Sequence, residues 1–80
     1  MKVKITHKKD KTDVYSLNLS NAFGVRLMGD ALIVYFSGSD AMFSFPSKQY
    51  KFEEIEMSAD GQAHYTERSI EEIAEYFLYD

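Results

Sequence analysis

The segment Ala31–Phe36, with the sequence Ala-Leu-Ile-Val-Tyr-Phe, limits most strongly how this chain can fold, because it is an unbroken apolar run. Its β-branched and aromatic side chains favour a strand, and it is too short to cross a bilayer. Gly29-Asp30 precedes it and Gly38-Ser39 follows it. Each pair begins with Gly, as a type II′ hairpin turn requires, because the first turn residue needs a positive φ. The sequence therefore predicts a three-stranded meander over residues 25–46, which ends at Pro46 because proline has no N–H to donate.

Two-residue turns also fix which residues of neighbouring strands lie opposite each other. The first turn sets Leu27 opposite Leu32, and the second sets Val34 opposite Phe43. Because side chains alternate between faces, this register predicts one wholly apolar core face. That face consists of Val25, Leu27, Leu32, Val34, Phe36, Ala41, Phe43 and Phe45.

The second face of the meander is mixed in character and is a candidate contact patch. Its larger members are Arg26, Met28, Ile33, Tyr35 and Met42. Arg, Met and Tyr are enriched in protein interfaces. Burial beneath the N-terminal strands is the alternative, since large exposed apolar patches are uncommon on monomers. If the face is exposed, it also offers a surface for homo-oligomerisation.

Alternation of apolar and polar residues predicts two strands near the N-terminus. In Lys2–His7, Val3 and Ile5 share one face, and Val14–Leu19 alternates after a polar loop. We expect these segments to pair as an antiparallel hairpin whose lysines protect a sheet edge from further pairing.

Residues 47–57 fit either a strand or a helix. Ile55 and Met57 alternate as in a strand, whereas Phe52 and Ile55 are spaced as on a helix. The Asp60-Gly61 pair is a hairpin turn signal, and residues 62–66 can return beside the preceding segment. We therefore favour a strand.

A capping box marks the last element. Ser69 stands three residues before Glu72, so each side chain can accept a free backbone N–H of the other residue. An apolar stripe follows, made of Ile70, Ile73, Ala74, Phe77 and Leu78. These features predict a helix over residues 69–79 that packs on the core face of the meander. The predicted fold class is α+β: one compact domain over residues 1–80, with an antiparallel sheet of five to six strands and one C-terminal helix.

Charge is distributed unevenly along the chain. The net charge is −4, but residues 1–11 contain five lysines and one Asp, whereas residues 53–80 contain nine acids and one Arg. Carboxylates can occupy positions where phosphates would bind, which suits docking to a basic, nucleic-acid-handling protein. A solvated face that keeps the protein soluble is the simpler interpretation. The candidate contact residues are Glu53, Glu54, Glu56, Glu71, Glu72, Glu75, Tyr76 and Tyr79.

Residues with catalytic or metal-binding chemistry are few. The chain has two histidines and no cysteine, and Ser37 and Ser39 lie in a turn signal with no histidine near in sequence. Asp60, His64 and Glu67 have ligand-type side chains, but their spacing matches no strong zinc or calcium motif. No glycine-rich phosphate loop precedes a helix. We therefore expect no enzymatic activity, no metal site and no cofactor.

The functional expectation is a binding protein. In size, acidity and lack of catalytic groups the chain resembles the small inhibitors of host enzymes that phages and mobile elements carry, such as anti-CRISPR proteins; no motif carries this resemblance. It implies stoichiometric inhibition of a protein partner. The alternative is nucleic-acid binding through the lysines of Lys2–Lys11, which the negative net charge opposes. Because no signal peptide or membrane span is visible, we expect a cytoplasmic protein without membrane contact.

Overall fold

The computed structural model describes residues 1–36 and 42–79, apart from the side chains of Phe23, Leu78 and Tyr79. Within these residues the chain forms seven strands, a short 3-10 helix (Leu19–Asn21) and one α-helix, so the predicted α+β class is confirmed. The strands are β1 (Lys2–His7), β2 (Val14–Asn18), β3 (Ala22–Met28), β4 (Ala31–Phe36), β5 (Met42–Pro46), β6 (Tyr50–Met57) and β7 (Ala63–Glu67), and the helix is α1 (Ile70–Tyr79).

The strands form two antiparallel sheets, where the sequence predicted one sheet of five to six strands. A four-stranded sheet has the order β2-β1-β6-β7, and a three-stranded sheet has the order β3-β4-β5. The predicted N-terminal hairpin is confirmed, with Val3 opposite Leu17. The predicted protective role of its lysines is wrong for Lys2 and Lys4, because β1 lies inside the sheet, between β2 and β6.

The meander has the predicted register. Leu27 lies opposite Leu32 and Val34 lies opposite Phe43. Gly29 has a φ of 61° and no non-Gly residue of the described chain has a positive φ, so the first turn fits type II′. The second predicted turn, Gly38-Ser39, and the predicted core residue Ala41 lie outside the described residues.

Residues 50–57 form a strand, as the sequence favoured. Phe52 is buried on one face of β6, whereas Ile55 lies on the other face and is partly exposed. Gly61 has a φ of 83° in the turn that leads to β7. The Asp60 carboxylate fixes this turn by accepting hydrogen bonds from the Ser58 hydroxyl and from the Gln62 N–H. These contacts return the chain beside β6.

Both sheets and the helix contribute to one hydrophobic core. On the core face of the meander Val25, Leu32, Val34 and Phe45 are buried, but Leu27 is 38% exposed because it lies on the edge strand β3. The four-stranded sheet contributes Val3, Ile5 and Phe52, and the helix contributes Ile70, Ile73 and Ala74.

The capping box of α1 is present. The Ser69 hydroxyl accepts the N–H of Glu72 at 3.1 Å, and the Glu72 carboxylate accepts the N–H of Ser69 at 3.0 Å. The buried stripe of α1 lies mainly against β3 and then β4. Over the described residues, no helix is both long and apolar enough to span a membrane.

Candidate partner-binding surface

The three acids of β6 do not share one face of the sheet. Glu54 and Glu56 lie on the side of the buried Phe52, and Glu53 lies on the opposite side. Glu53 is 3.9 Å from Lys51 Nζ and lies across from Lys4. Glu53 therefore belongs to a face of mixed charge and is separated from the other candidate acids.

A cleft of about 400 Å³ lies between α1 and β6 and brings four of the candidate residues together. Three of them are acids, and Tyr76 is the fourth. Its lining residues are Met1, Glu54, Arg68, Glu72, Glu75 and Tyr76, and we refer to it as the acidic cleft.

Arg68 links two carboxylates of the acidic cleft. Its Nε donates to Glu54 Oε1 at 3.0 Å, and its Nη1 donates to Glu72 Oε2 at 3.4 Å. The hydrogen bond to Glu54 raises the pKa of Arg68, so the guanidinium stays charged. The backbone N–H of Ser69 lowers the pKa of Glu72, and the Ser69 hydroxyl and Arg68 act in the same direction. Glu54 and Glu72 thus hold the fold, which leaves Glu75 as the acid of the cleft with no ion pair in the described structure.

The remaining candidate residues lie elsewhere. Glu71 lines a separate cleft of about 200 Å³, together with Lys8, Lys51 and Glu67. Glu56 is exposed and lies across from His64 of β7. The backbone of Tyr79 ends α1, and its side chain is outside the description.

Two further clefts extend the acidic cleft towards the meander. One, of about 240 Å³, shares Met1 and Tyr76 with the acidic cleft and adds Leu19, Ser20 and Phe77. The next, of about 370 Å³, shares Phe77 with it and is also lined by Gly24, Val25, Arg26 and Tyr35. The three clefts are linked by these shared residues of α1, and we refer to them together as the helix strip. It links the acidic cleft to Arg26 and Tyr35 of the second face of the meander.

The second face of the meander is largely exposed around a buried centre. Ile33 is 4% exposed but lies outside the core cluster, whereas Met28 and Met42 are 56% and 55% exposed. Arg26 is exposed and Tyr35 is half-buried. Among the described residues, those that share this face include no Asp, Glu or Lys. This face therefore has the charge depletion and the Arg, Met and Tyr content of protein interfaces.

Sequence reasoning missed Met1, Arg68 and Phe77 as members of the helix strip. Arg68 is the single cation of residues 53–80, which was a signal that it neutralises particular acids. Met1 and Phe77 gave no comparable signal, because their positions depend on how α1 lies across the two sheets.

In residues 1–36 and 42–79, no group of three His, Asp or Glu side chains is arranged so that it could hold a metal ion. His64 and Glu67 lie on opposite faces of β7, because odd and even positions of a strand point apart. Ser37 and Ser39 lie outside the described residues.

Comparisons with known proteins do not indicate a function, so the geometry of the surface is used instead. No protein-family model, curated protein or solved structure matches the chain. The helix strip is the surface on which the two sequence-predicted patches meet.

Proposed function

We propose that this protein is a non-catalytic binding module that docks a basic partner protein through the helix strip. The proposal is supported by the shared lining residues Tyr76 and Phe77, which link the cleft of Glu75 to the cleft of Arg26 and Tyr35. Protein interfaces combine an apolar, aromatic-rich centre with a polar rim. The strip has this composition, with its carboxylates gathered at one end.

The chemistry of the acidic end indicates the kind of partner. Carboxylates of the acidic cleft attract a basic surface over a distance set by ionic strength and raise the association rate. A nucleic-acid-handling protein presents such a surface where phosphates bind. The proposed role is stoichiometric inhibition of a protein of this kind, as small phage and mobile-element inhibitors do.

The test compares charge reversals on two sides of α1. Glu75→Lys changes the acidic cleft, and Glu71→Lys makes the same charge change outside it. Glu72 is unsuitable, because it also caps the helix. Each variant is used to capture partners from the native host, with circular dichroism as the check on folding. We expect Glu75→Lys and Tyr76→Ala to lose a basic protein that wild type and Glu71→Lys retain.

Salt dependence provides the second part of this test. Capture through the acidic end should weaken as ionic strength rises, because screening shortens the reach of its charges. Equal capture by Glu75→Lys, Tyr76→Ala and wild type would remove the helix strip from the interface. Capture that salt leaves unchanged would remove the electrostatic part of the proposal.

The exposed methionines of the meander favour a second candidate function, self-association. Met28 and Met42 lie on the same face as the buried Ile33, and the described residues of that face include no acid or lysine. Light scattering after size exclusion would show a dimer that Met42→Glu converts to a monomer. A wild-type monomer at high concentration would exclude this candidate.

A further inference from the structure

A cluster of cations lies at the opposite end of β1 from the acidic cleft. The β1–β2 and β5–β6 turns meet there around a cleft of about 400 Å³. We call this cluster the lysine corner, and its lining residues are His7, Lys8, Lys9, Lys48 and Gln49. Lys48 is distant from Lys8 and Lys9 in sequence, although the three residues line the same cleft. Lys2 and Lys4 lie within the four-stranded sheet, where Lys4 Nζ is 5.2 Å from the centre of the Tyr65 ring.

Backbone hydrogen bonds hold the lysine corner in shape. The Lys8 N–H donates to the Gln49 carbonyl at 2.8 Å and joins the two turns. His7 Nδ1 accepts the N–H groups of Lys9 and Asp10, both at 3.1 Å. A nitrogen that accepts cannot carry the ring proton, so in neutral His7 the proton is on Nε2. The ring also meets Tyr50 edge-on, with 5.1 Å between centres. These bonds fix the backbone from which the lysine side chains extend, which lowers the cost of ordering the turns on binding.

The lysines of the corner form no ion pair within the described part of the chain. The cations that do are Lys51 and Arg68. The two acids of the β1–β2 turn accept hydrogen bonds from hydroxyl groups: Asp10 from Thr12 at 2.6 Å, and Asp13 from Tyr50 at 2.9 Å. Three ammonium groups beside one cleft, without a carboxylate bound to them, create a local positive potential.

We propose that the lysine corner binds the phosphate groups of a single nucleic-acid strand. Lysine binds phosphate as a flexible point charge, and the Nε2–H of His7 and the side-chain amide of Gln49 add neutral donors. A single cleft of this size suits a few phosphates of one strand. Sequence-independent binding follows, since phosphate contacts carry no information about the bases.

The negative net charge does not oppose this site, because the acidic cleft is distant. Glu54, the acid of the cleft on β6, lies opposite Val3, and a strand rises about 3.3 Å per residue, so the five steps from Val3 to Lys8 span about 17 Å. The Debye length is about 8 Å at physiological ionic strength, so the carboxylates of the acidic cleft are largely screened at the corner. Glu67 and Glu71 are closer, since they line one cleft together with Lys8, but neither is among the ion pairs of the described residues.

Fluorescence anisotropy with a labelled oligothymidylate tests the proposal. Lys9→Gln with Lys48→Gln removes two charges from the corner, and Lys2→Gln with Lys4→Gln removes two charges from the sheet. We expect the first pair to weaken binding about tenfold or more and the second about twofold or less, in line with loss of direct phosphate contacts. Thermal melting confirms that both double variants are folded.

The salt dependence adds an independent readout. Three neutralised phosphates of a single strand give a log–log slope of about −2, so raising salt from about 50 to about 200 mM should weaken binding about 20-fold. The Lys9→Gln, Lys48→Gln variant should show a slope near −0.7, for the one remaining phosphate contact. Equal losses in the two double variants, or no binding by wild type at low salt, would overturn the proposal. Binding of inorganic phosphate alone, with no affinity for the strand, would overturn it as well.

Discussion

Nε of Arg68 lies 3.0 Å from Oε1 of Glu54 and connects the residue before the helix cap to the middle of β6. The contact of Arg68 with Glu72 is longer, at 3.4 Å, and Glu72 is the more exposed of the two acids. Attraction between charges weakens with distance and with exposure to water. The pair with Glu54 should therefore contribute more to stability than the pair with Glu72.

Double-mutant cycles test this ranking. Arg68→Ala is combined with Glu54→Ala in one cycle and with Glu72→Ala in the other, and the free energy of unfolding is measured in urea. We expect a larger coupling in the first cycle than in the second. A larger coupling for Glu72 would show that the helix cap, and not the link to β6, determines the position of Arg68.

Ser69→Ala should destabilise the protein by about 1 kcal/mol, because the N–H of Glu72 loses its acceptor. Ser69→Asp, which restores an acceptor at the cap, should recover most of the loss. Ser16→Ala on the exposed side of β2 serves as the control for a simple Ser substitution. If Ser69→Ala did not change the urea midpoint of unfolding, the cap would contribute nothing to stability.

Stability should fall as the pH is lowered below about 4.3, the ordinary pKa of glutamate. The pKa of Glu72 is lowered in the folded state, chiefly by the Ser69 N–H, so the charged form stabilises the fold. This contribution to stability is complete above the pKa that Glu72 has in the unfolded chain. It disappears as the pH falls through the lower pKa that Glu72 has in the folded protein. Hydrogen bonds from Thr12 and Ser58 lower the pKa values of Asp10 and Asp60 in the same direction. Glu72→Gln, which keeps an oxygen for the cap, should make the loss of stability in acid less steep, and an unchanged profile would contradict this assignment.

Gly29→Ala and Gly24→Ala should have different effects on stability. Gly29 has a φ of 61°. A Cβ at this position would have no atom within 4 Å, but the backbone of alanine is strained at a positive φ. The expected loss is about 1 kcal/mol. A Cβ at Gly24 would lie 3.7 Å from Tyr35, an ordinary contact, on backbone that any residue adopts. Gly24→Ala should therefore be neutral or slightly stabilising, and thermal unfolding of both variants decides the question.

Leu32→Ala should cost about 2 to 5 kcal/mol, because Leu32 is fully buried where the two sheets and the helix meet. Domains of this length have a total stability of about 4 to 12 kcal/mol, so the variant should be close to unfolding. Met42→Ala is the matched control, since that side chain is more than half exposed. Similar losses for both substitutions would mean that Met42 is covered in solution by another molecule.

The meander was predictable because its determinants are local. The turn requires a positive φ, which Gly29 adopts at little cost, and the two-residue turn then sets Leu27 opposite Leu32. The helix was predictable for the same reason, since Ser69 and Glu72 bond to each other across three residues. Each of these features depends on residues that are close in sequence.

The division into two sheets was not predictable from these local signals. β1 pairs with β6, so that Ile5 lies opposite Phe52. The alternation of apolar and polar residues in each strand does not indicate which strand is its partner. The residues that line each cleft could not be predicted for the same reason, because they come from distant parts of the sequence. Lys48 lines one cleft with Lys8 and Lys9 because the β5–β6 turn lies beside the β1–β2 turn, and Phe77 lines one cleft with Arg26 because α1 lies against β3.

The position of β1 between β2 and β6 also bears on the order of folding. β2 follows β1 closely in sequence, whereas β6 is separated from β1 by the whole meander, residues 22–46. Contacts of long sequence separation require a costly loop closure, so closing the four-stranded sheet should be the slow step. Pulsed hydrogen exchange during refolding should then protect the amides of β4 before those of β6, and the reverse order would show that the terminal strands nucleate the molecule.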